Sequence, residues 1–77
     1  MTEVLADTAP GESVSLEQVP DDDVRARLLR LGFLDGTVEC RHRLRKGPIV
    51  LRRNGTEMAL GADLAAEIEI SRAGADR

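Results

Sequence analysis

The sequence predicts a mainly β fold: a small closed barrel of about five short strands, with one helix inserted between the first and second strands. Three observations predict it. Apolar and polar residues alternate in several short runs, which is typical of half-buried strands. Tight turns separate these runs, and Asn54–Gly55 is the strongest hairpin signal among them. One helical pattern, residues 21–31, interrupts the series. Closure into a barrel would remove the exposed edges of such a sheet.

The composition bounds the class of protein. With 77 residues the chain predicts a single domain, residues 1–77, with a small core. One cysteine excludes an internal disulfide and suits a reducing cytosol, so we expect a cytoplasmic protein. No apolar stretch approaches the roughly 20 residues of a membrane span, and no secretory leader is recognisable. Phe33 is the only aromatic residue, which counts against nucleic-acid binding by base stacking.

The two ends of the chain read differently from its middle. Residues 1–12 predict a loosely held lead-in, and residues 71–77 predict a frayed tail.

The first predicted strand is the run "SVSLEQV", which alternates with Val14 and Leu16 on one face. Val19 falls out of this phase, so we expect a bulge or the strand end between Leu16 and Val19.

The helix over residues 21–31 is opened by three aspartates, which supply an N-cap and favourable charge at the positive end of the helix dipole. Val24, Leu28 and Leu31 follow at i, i+4 and i+7 and line one face. Gly32 comes directly after and predicts the left-handed residue that ends a helix. Two acid-first pairs at i,i+4 spacing are expected to add about 0.3 kcal/mol each: Asp21 with Arg25, and Asp23 with Arg27.

The remaining strands follow in quick succession. "TVECRHRL" alternates and predicts four residues on one face, namely Val38, Cys40, His42 and Leu44. "IVLRR" and "TEMAL" flank the Asn54–Gly55 turn, "GADLAAE" predicts one helical turn, and "EIEI" predicts a closing strand.

Cys40 and His42 raise the question of a chemical site. Residues two apart on a strand point the same way, so the pair is a weak candidate for metal contact. Two ligands are too few, because structural zinc takes four and catalytic zinc three protein ligands. A catalytic pair would need a third, orienting group, and none is apparent. The alternative is that Cys40 is a small buried apolar residue of the barrel wall.

A basic hairpin is the second candidate. Its six cations occupy a window without acidic residues, although the net charge is −3: Arg41, Arg43, Arg45, Lys46, Arg52 and Arg53. Such a surface is either simply solvated or binds an acidic protein patch, nucleic acid or anionic lipid headgroups. The overall acidity and the lack of aromatics disfavour nucleic acid.

Apolar residues around the helix end are the third candidate: Leu29, Leu31, Phe33 and Leu34. They are either tucked under the helix or offered to a partner, since partner contacts depend on a few such anchors. The chain has no G-x-x-x-x-G-K-[ST] loop, so any nucleotide chemistry belongs to a partner.

The chain resembles the FeoA family, the small ferrous iron transport protein A. The likeness lies in "LADTAPGESVSLEQV", in the helix–Gly–turn stretch "RARLLRLGFLDGT" and in "GPIVLRRNGTEMALGADLAAEIEI", and it spans about residues 5–70. The family turn often has Pro where this chain has Asp35, and the hairpin "RLRKGP" is shorter and more basic than the family's.

The resemblance implies an SH3-like barrel and a cytosolic, non-enzymatic accessory of FeoB, a membrane ferrous-iron transporter with a cytosolic GTP-binding domain. We therefore expect an adaptor without a cofactor, peripheral to the membrane through its partner. Two alternatives stay open: a nucleic-acid-binding barrel that uses the 41–53 hairpin, and a weak ferrous iron chaperone that uses Cys40 and His42.

Overall fold

This computed structural model describes residues 3–43 and 47–72. These residues form six antiparallel strands and two short α-helices, joined by turns. A mainly β fold with its helix placed between two early strands is thereby confirmed. The elements, in chain order, are β1 (Glu3–Val4), a 3₁₀ turn (Leu5–Asp7), β2 (Ser13–Gln18), α1 (Asp22–Arg30), β3 (Thr37–Arg43), β4 (Ile49–Arg53), β5 (Thr56–Leu60), α2 (Ala62–Ala65) and β6 (Glu69–Arg72).

All six strands belong to one sheet in the order β1-β6-β2-β3-β4-β5. Within residues 3–43 and 47–72 no backbone ladder joins β1 to β5, so the barrel is less completely closed than the sequence predicts. One core of apolar side chains lies inside the curved sheet, drawn from β2 to β6, α1, α2 and the turns. The bulge expected after Leu16 is present in the pairing of β2 with β6, and Val19 is buried.

The lead-in expected over residues 1–12 is part of the fold from Glu3 onward, which corrects the sequence prediction. β1 pairs with β6, and the Leu5 N–H donates a 2.8 Å hydrogen bond to the Ile68 carbonyl oxygen. Leu5 and Thr8 are fully buried. A strand of two residues is too short to show alternation. Its pairing depends on a strand more than sixty positions away, so the local pattern does not reveal it.

Arg72 fastens this segment to the end of β6, and the sequence prediction of a frayed tail missed it. Its Nε lies 2.7 Å from a carboxylate oxygen of Glu3, and its Nη1 lies 2.7 Å from one of Glu12. Its Nη2 also donates a long, 3.5 Å hydrogen bond to the Asp7 carbonyl oxygen. The planar guanidinium suits this work because it presents several donors in fixed directions. Residues 73–77 of the expected tail lie outside the described residues.

Glu12 makes the Arg72 contact sensitive to acid. The Ala9 N–H donates to its Oε1 at 2.7 Å, and this bond, together with the Arg72 side chain, lowers the pKa of the Glu12 carboxyl below its ordinary value of 4.5. A depressed carboxyl pKa contributes stability above the pKa of the unfolded chain, and the contribution is lost as pH falls through the folded pKa.

We therefore expect Glu12→Gln to lower the free energy of unfolding at pH 7, and the difference from wild type to shrink as pH falls below about 4.5. Urea unfolding at several pH values between 3 and about 7 measures it. A difference that stays constant across this range would contradict the assigned role of the ionised carboxylate.

Both ends of α1 follow the sequence prediction. The Asp21 Oδ1 caps the N-terminus by accepting a 3.0 Å hydrogen bond from the Val24 N–H. At the other end Gly32 has φ +82°, its N–H donates to the Leu29 carbonyl oxygen, and the Phe33 N–H donates to the Leu28 carbonyl oxygen. These two bonds are the Schellman motif, which normally brings the residue after the glycine into apolar contact with the last helical turn. Phe33 and Leu28 are fully buried in the common core.

Gly32 is the position where this helix end is most sensitive to substitution. We expect Gly32→Val to lower the free energy of unfolding by about 1–3 kcal/mol, because a β-branched residue is strained at positive φ. Gly32→Asn should cost clearly less, since asparagine tolerates the left-handed region. Urea unfolding of the two variants beside wild type tests this, and equal losses would contradict a conformational cause.

Neither described helix is long and apolar enough to cross a membrane.

Candidate partner-binding surface

A bulge separates Cys40 from His42 and corrects their predicted common face. Along β3, Cys40 lies opposite Leu51 of β4, but His42 lies opposite Val50, so Arg41 is an extra residue in the ladder. An extra residue reverses the facing of everything after it. Cys40 is therefore fully buried, whereas His42 is exposed. Leu44, predicted on the same face, lies outside the described residues.

Cys40 lies in the core rather than at an accessible site. Burial raises the pKa of its thiol, and the thiol is placed to donate a weak, 3.8 Å hydrogen bond to the His42 carbonyl oxygen. Among residues 3–43 and 47–72 no three His, Cys, Asp or Glu side chains are grouped as a metal ion would require. The metal-ligating pair considered from the sequence is thus divided between the inside and the outside of the sheet.

The burial of Cys40 predicts an unreactive thiol. Because the reactive species is the thiolate, a buried thiol with a raised pKa should react with a disulfide reagent mainly through unfolding. For a domain of marginal stability we expect a rate at least about a hundredfold below that of the urea-unfolded chain. Absorbance during reaction with 5,5′-dithiobis(2-nitrobenzoate) measures it, and His42→Ala should leave the rate unchanged. Fast native labelling would place Cys40 at the surface.

The basic hairpin is of mixed charge once it is folded. Arg41 Nη1 lies 3.5 Å from a Glu39 carboxylate oxygen, and Arg41 Nε lies 4.0 Å from one of Glu57. Both acids flank the acid-free window in sequence and are brought beside it because Glu39 and Glu57 each pair with Arg52 across the ladder. The hairpin register is the signal that could have predicted this neutralisation.

The other hairpin cations divide into three groups. Arg53 is half-buried and donates a 2.9 Å hydrogen bond to the Thr37 carbonyl oxygen. Arg43 and Arg52 are exposed. Arg45 and Lys46, also predicted for this surface, lie outside the described residues. The described part of the hairpin therefore has three exposed arginines, of which Arg41 lies beside Glu39 and Glu57, rather than a continuous basic face.

The apolar candidates at the end of α1 also divide. Phe33 is fully buried, which removes it from the predicted contact surface, and Leu34 is half-buried against the core. Leu29 and Leu31 are 53% and 41% exposed, and they are the exposed large hydrophobics of the part of the chain that the structure describes. Residues two apart on a helix do not face each other, so the two leucines lie on opposite flanks of the helix end.

Three arginines accompany these leucines. Arg25, Arg27 and Arg30 are exposed, and no carboxylate of the described ranges lies within salt-bridge distance of them. The two i,i+4 pairs predicted from the sequence are therefore absent, and the Asp21 carboxylate instead caps the helix. We define the α1 surface by its five residues: Arg25, Arg27, Leu29, Arg30 and Leu31.

Comparison with known proteins decides the family. Residues 4–72 match the family model described as the FeoA domain. The chain belongs to the FeoA family. That family is linked to ferrous iron uptake, and its domain is an accessory of iron transport. The resemblance stated from the sequence is confirmed, and the small β fold is consistent with the SH3-like barrel that it implied.

Two solved structures share the fold of this FeoA domain. A crystal structure of an iron uptake regulatory protein (FeoA) is 25% identical, covers 94% of this chain and 97% of its own, and superposes with a TM-score of 0.70. An NMR structure of a FeoA-like protein from Clostridium acetobutylicum is 21% identical, covers 94% of this chain and 87% of its own, and has a TM-score of 0.69. The comparison with curated protein sequences gives no match.

Proposed function

We propose that this FeoA domain is a non-enzymatic cytoplasmic adaptor of ferrous iron uptake that binds the cytosolic GTP-binding part of a FeoB-type transporter. The family carries the link to iron uptake. The observation that supports an adaptor is the α1 surface, where two exposed leucines lie among three exposed arginines that no carboxylate of residues 3–43 and 47–72 pairs with.

The chemistry of the α1 surface favours a protein partner with an acidic, partly apolar face. Exposed leucines gain free energy when a partner removes them from water. Arginines enrich the centres of protein interfaces because they combine charge, donors and an apolar stem. Unpaired cations also speed the encounter with an acidic surface, and this effect weakens as salt is added.

The two alternatives from the sequence have less structural support. A nucleic-acid surface on the hairpin would need free cations, yet Arg41 and Arg53 are engaged within the protein. An iron chaperone that uses Cys40 and His42 would need both side chains at one site, and β3 separates them. The adaptor remains the function that the described residues support best.

The test is binding of the soluble G domain of the cognate FeoB, with and without a GTP analogue. We expect Leu29→Gln combined with Leu31→Gln to weaken the Kd at least about tenfold, because truncation of an interface anchor costs about 1 kcal/mol or more. Isothermal titration calorimetry gives the Kd, and ¹⁵N shift changes in wild type should centre on α1 and the following turn.

Ala59→Gln is the control, since Ala59 is an exposed apolar residue of β5 outside the α1 surface. It should leave the Kd within about twofold. If Arg43→Ser combined with Arg52→Ser abolished binding while the leucine variant bound normally, the contact would lie on the hairpin. A wild-type protein that bound neither the G domain nor the full transporter would refute the adaptor function.

A further inference from the structure

One arginine joins the turn after α1 to the hairpin of β4 and β5. Arg53 ends β4, and its Nη1 donates the 2.9 Å hydrogen bond to the carbonyl oxygen of Thr37, the first residue of β3. The backbone pairing of β3 with β4 reaches only to Glu39, opposite Arg52. The guanidinium of Arg53 thus continues the contact between the two strands beyond the point where their ladder ends.

Gly36 provides the space in which this guanidinium lies. A Cβ on Gly36 would lie 2.7 Å from Arg53 Nη1, 2.8 Å from Nη2 and 2.9 Å from Cζ, distances that real Cβ atoms do not reach. Gly36 is not among the described glycines with positive φ, which are Gly11, Gly32 and Gly55. Its φ therefore does not call for a glycine, and the Arg53 guanidinium is what a side chain at this position would meet.

We propose that Arg53, whose guanidinium lies against Gly36, is a positioning residue. It fixes the turn of residues 32–36 and so orients the α1 surface toward its partner. The orienting step rests on the proposed adaptor function, because it takes the α1 surface as the contact surface. The holding of the turn does not depend on it.

This role differs from the direct partner contact that the sequence predicts for Arg53. A residue that contacts a partner exposes its donors, whereas Arg53 is half-buried, its Nη1 is bonded to Thr37 and its Nε is buried. The turn it holds has a single internal backbone bond of its own among the described residues, from the Asp35 N–H to the Gly32 carbonyl oxygen at 3.2 Å. The start of the turn is also held by the Gly32 and Phe33 N–H bonds to the last turn of α1 and by the burial of Phe33, so Arg53 acts at the far end, where the chain enters β3.

Gly36→Ala separates positioning from direct contact. The Cβ would collide with the tip of a flexible side chain, so the least costly response is that Arg53 leaves its place while the fold and the charge are kept. Arg53→Met removes both the hydrogen bond and the charge. Gly61→Ala is the matched control, since Gly61 has φ −63° and a Cβ added there would meet nothing within 4 Å.

Two readouts are taken on wild type, the three single variants and the Gly36→Ala/Arg53→Met double variant. The first is hydrogen exchange at the Asp35 amide, which reports opening of the turn. The second is the Kd for the FeoB G domain at two salt concentrations. We expect Gly36→Ala and Arg53→Met each to speed exchange and weaken binding about tenfold, as the loss of one hydrogen bond to a charged group implies. The double variant should be no worse than either single variant, because both remove the same contact.

Salt dependence supplies the last distinction. If Arg53 only positions the turn, its replacement weakens binding without changing how the Kd responds to salt. Normal binding by Gly36→Ala together with weak, less salt-dependent binding by Arg53→Met would show direct contact and overturn the proposal. Unchanged Asp35 exchange in both variants would also overturn it. If the wild-type protein did not bind, the adaptor function would be refuted instead. The exchange rates of the Asp35 amide in the variants would then show whether Arg53 holds the turn.

Discussion

The reversal of the chain at Gly32 is the constraint on which the rest of this domain depends. The left-handed glycine turns Phe33 back under the helix, where the only aromatic side chain of the protein joins Leu28 in the core. Since Leu28 faces the core at the end of α1, the neighbouring leucines, Leu29 and Leu31, project to its two flanks and remain exposed. One conformational requirement thus brings the end of the helix into the core and also leaves the α1 surface exposed.

Two arginine side chains join segments of the chain at places where the backbone pairing of the strands ends. Arg72 binds the carboxylates of Glu3 and Glu12 and so ties the first strand to the last, and Arg53 binds the Thr37 carbonyl oxygen beside Gly36. The guanidinium suits both places because it stays charged and presents donors in a fixed planar fork. Arginines that look alike in the sequence therefore have different roles, and those of α1 form no ion pair with a carboxylate of the described residues.

A domain of this size has one small core, and the residues that can bind another molecule lie on its surface. The membership in the FeoA family supplies the connection to iron uptake, and within the described ranges no group of ligands for a metal ion accompanies it. The only cysteine packs in the core, and burial raises its pKa. The exposed leucines and arginines of α1 are the features that support the proposed contact with another protein.

Features that depend on neighbouring residues were predictable from the amino-acid pattern. The Asp21 cap, the glycine stop at Gly32 and the Asn54–Gly55 turn, with φ of +53° and +83°, all lie where their residue types predict them. Each follows from a conformational preference within a few positions, which local pattern expresses directly.

Features that depend on pairing between distant segments became visible only in the folded domain. β1 forms because β6 offers it an edge, and the bulge at Arg41 buries Cys40 while it exposes His42. The register of β3, β4 and β5 places Glu39 and Glu57 beside Arg41 and partly neutralises the basic face that the sequence suggests. Register and side-chain pairing across strands arise from packing around the shared core, and no local stretch of sequence contains that information.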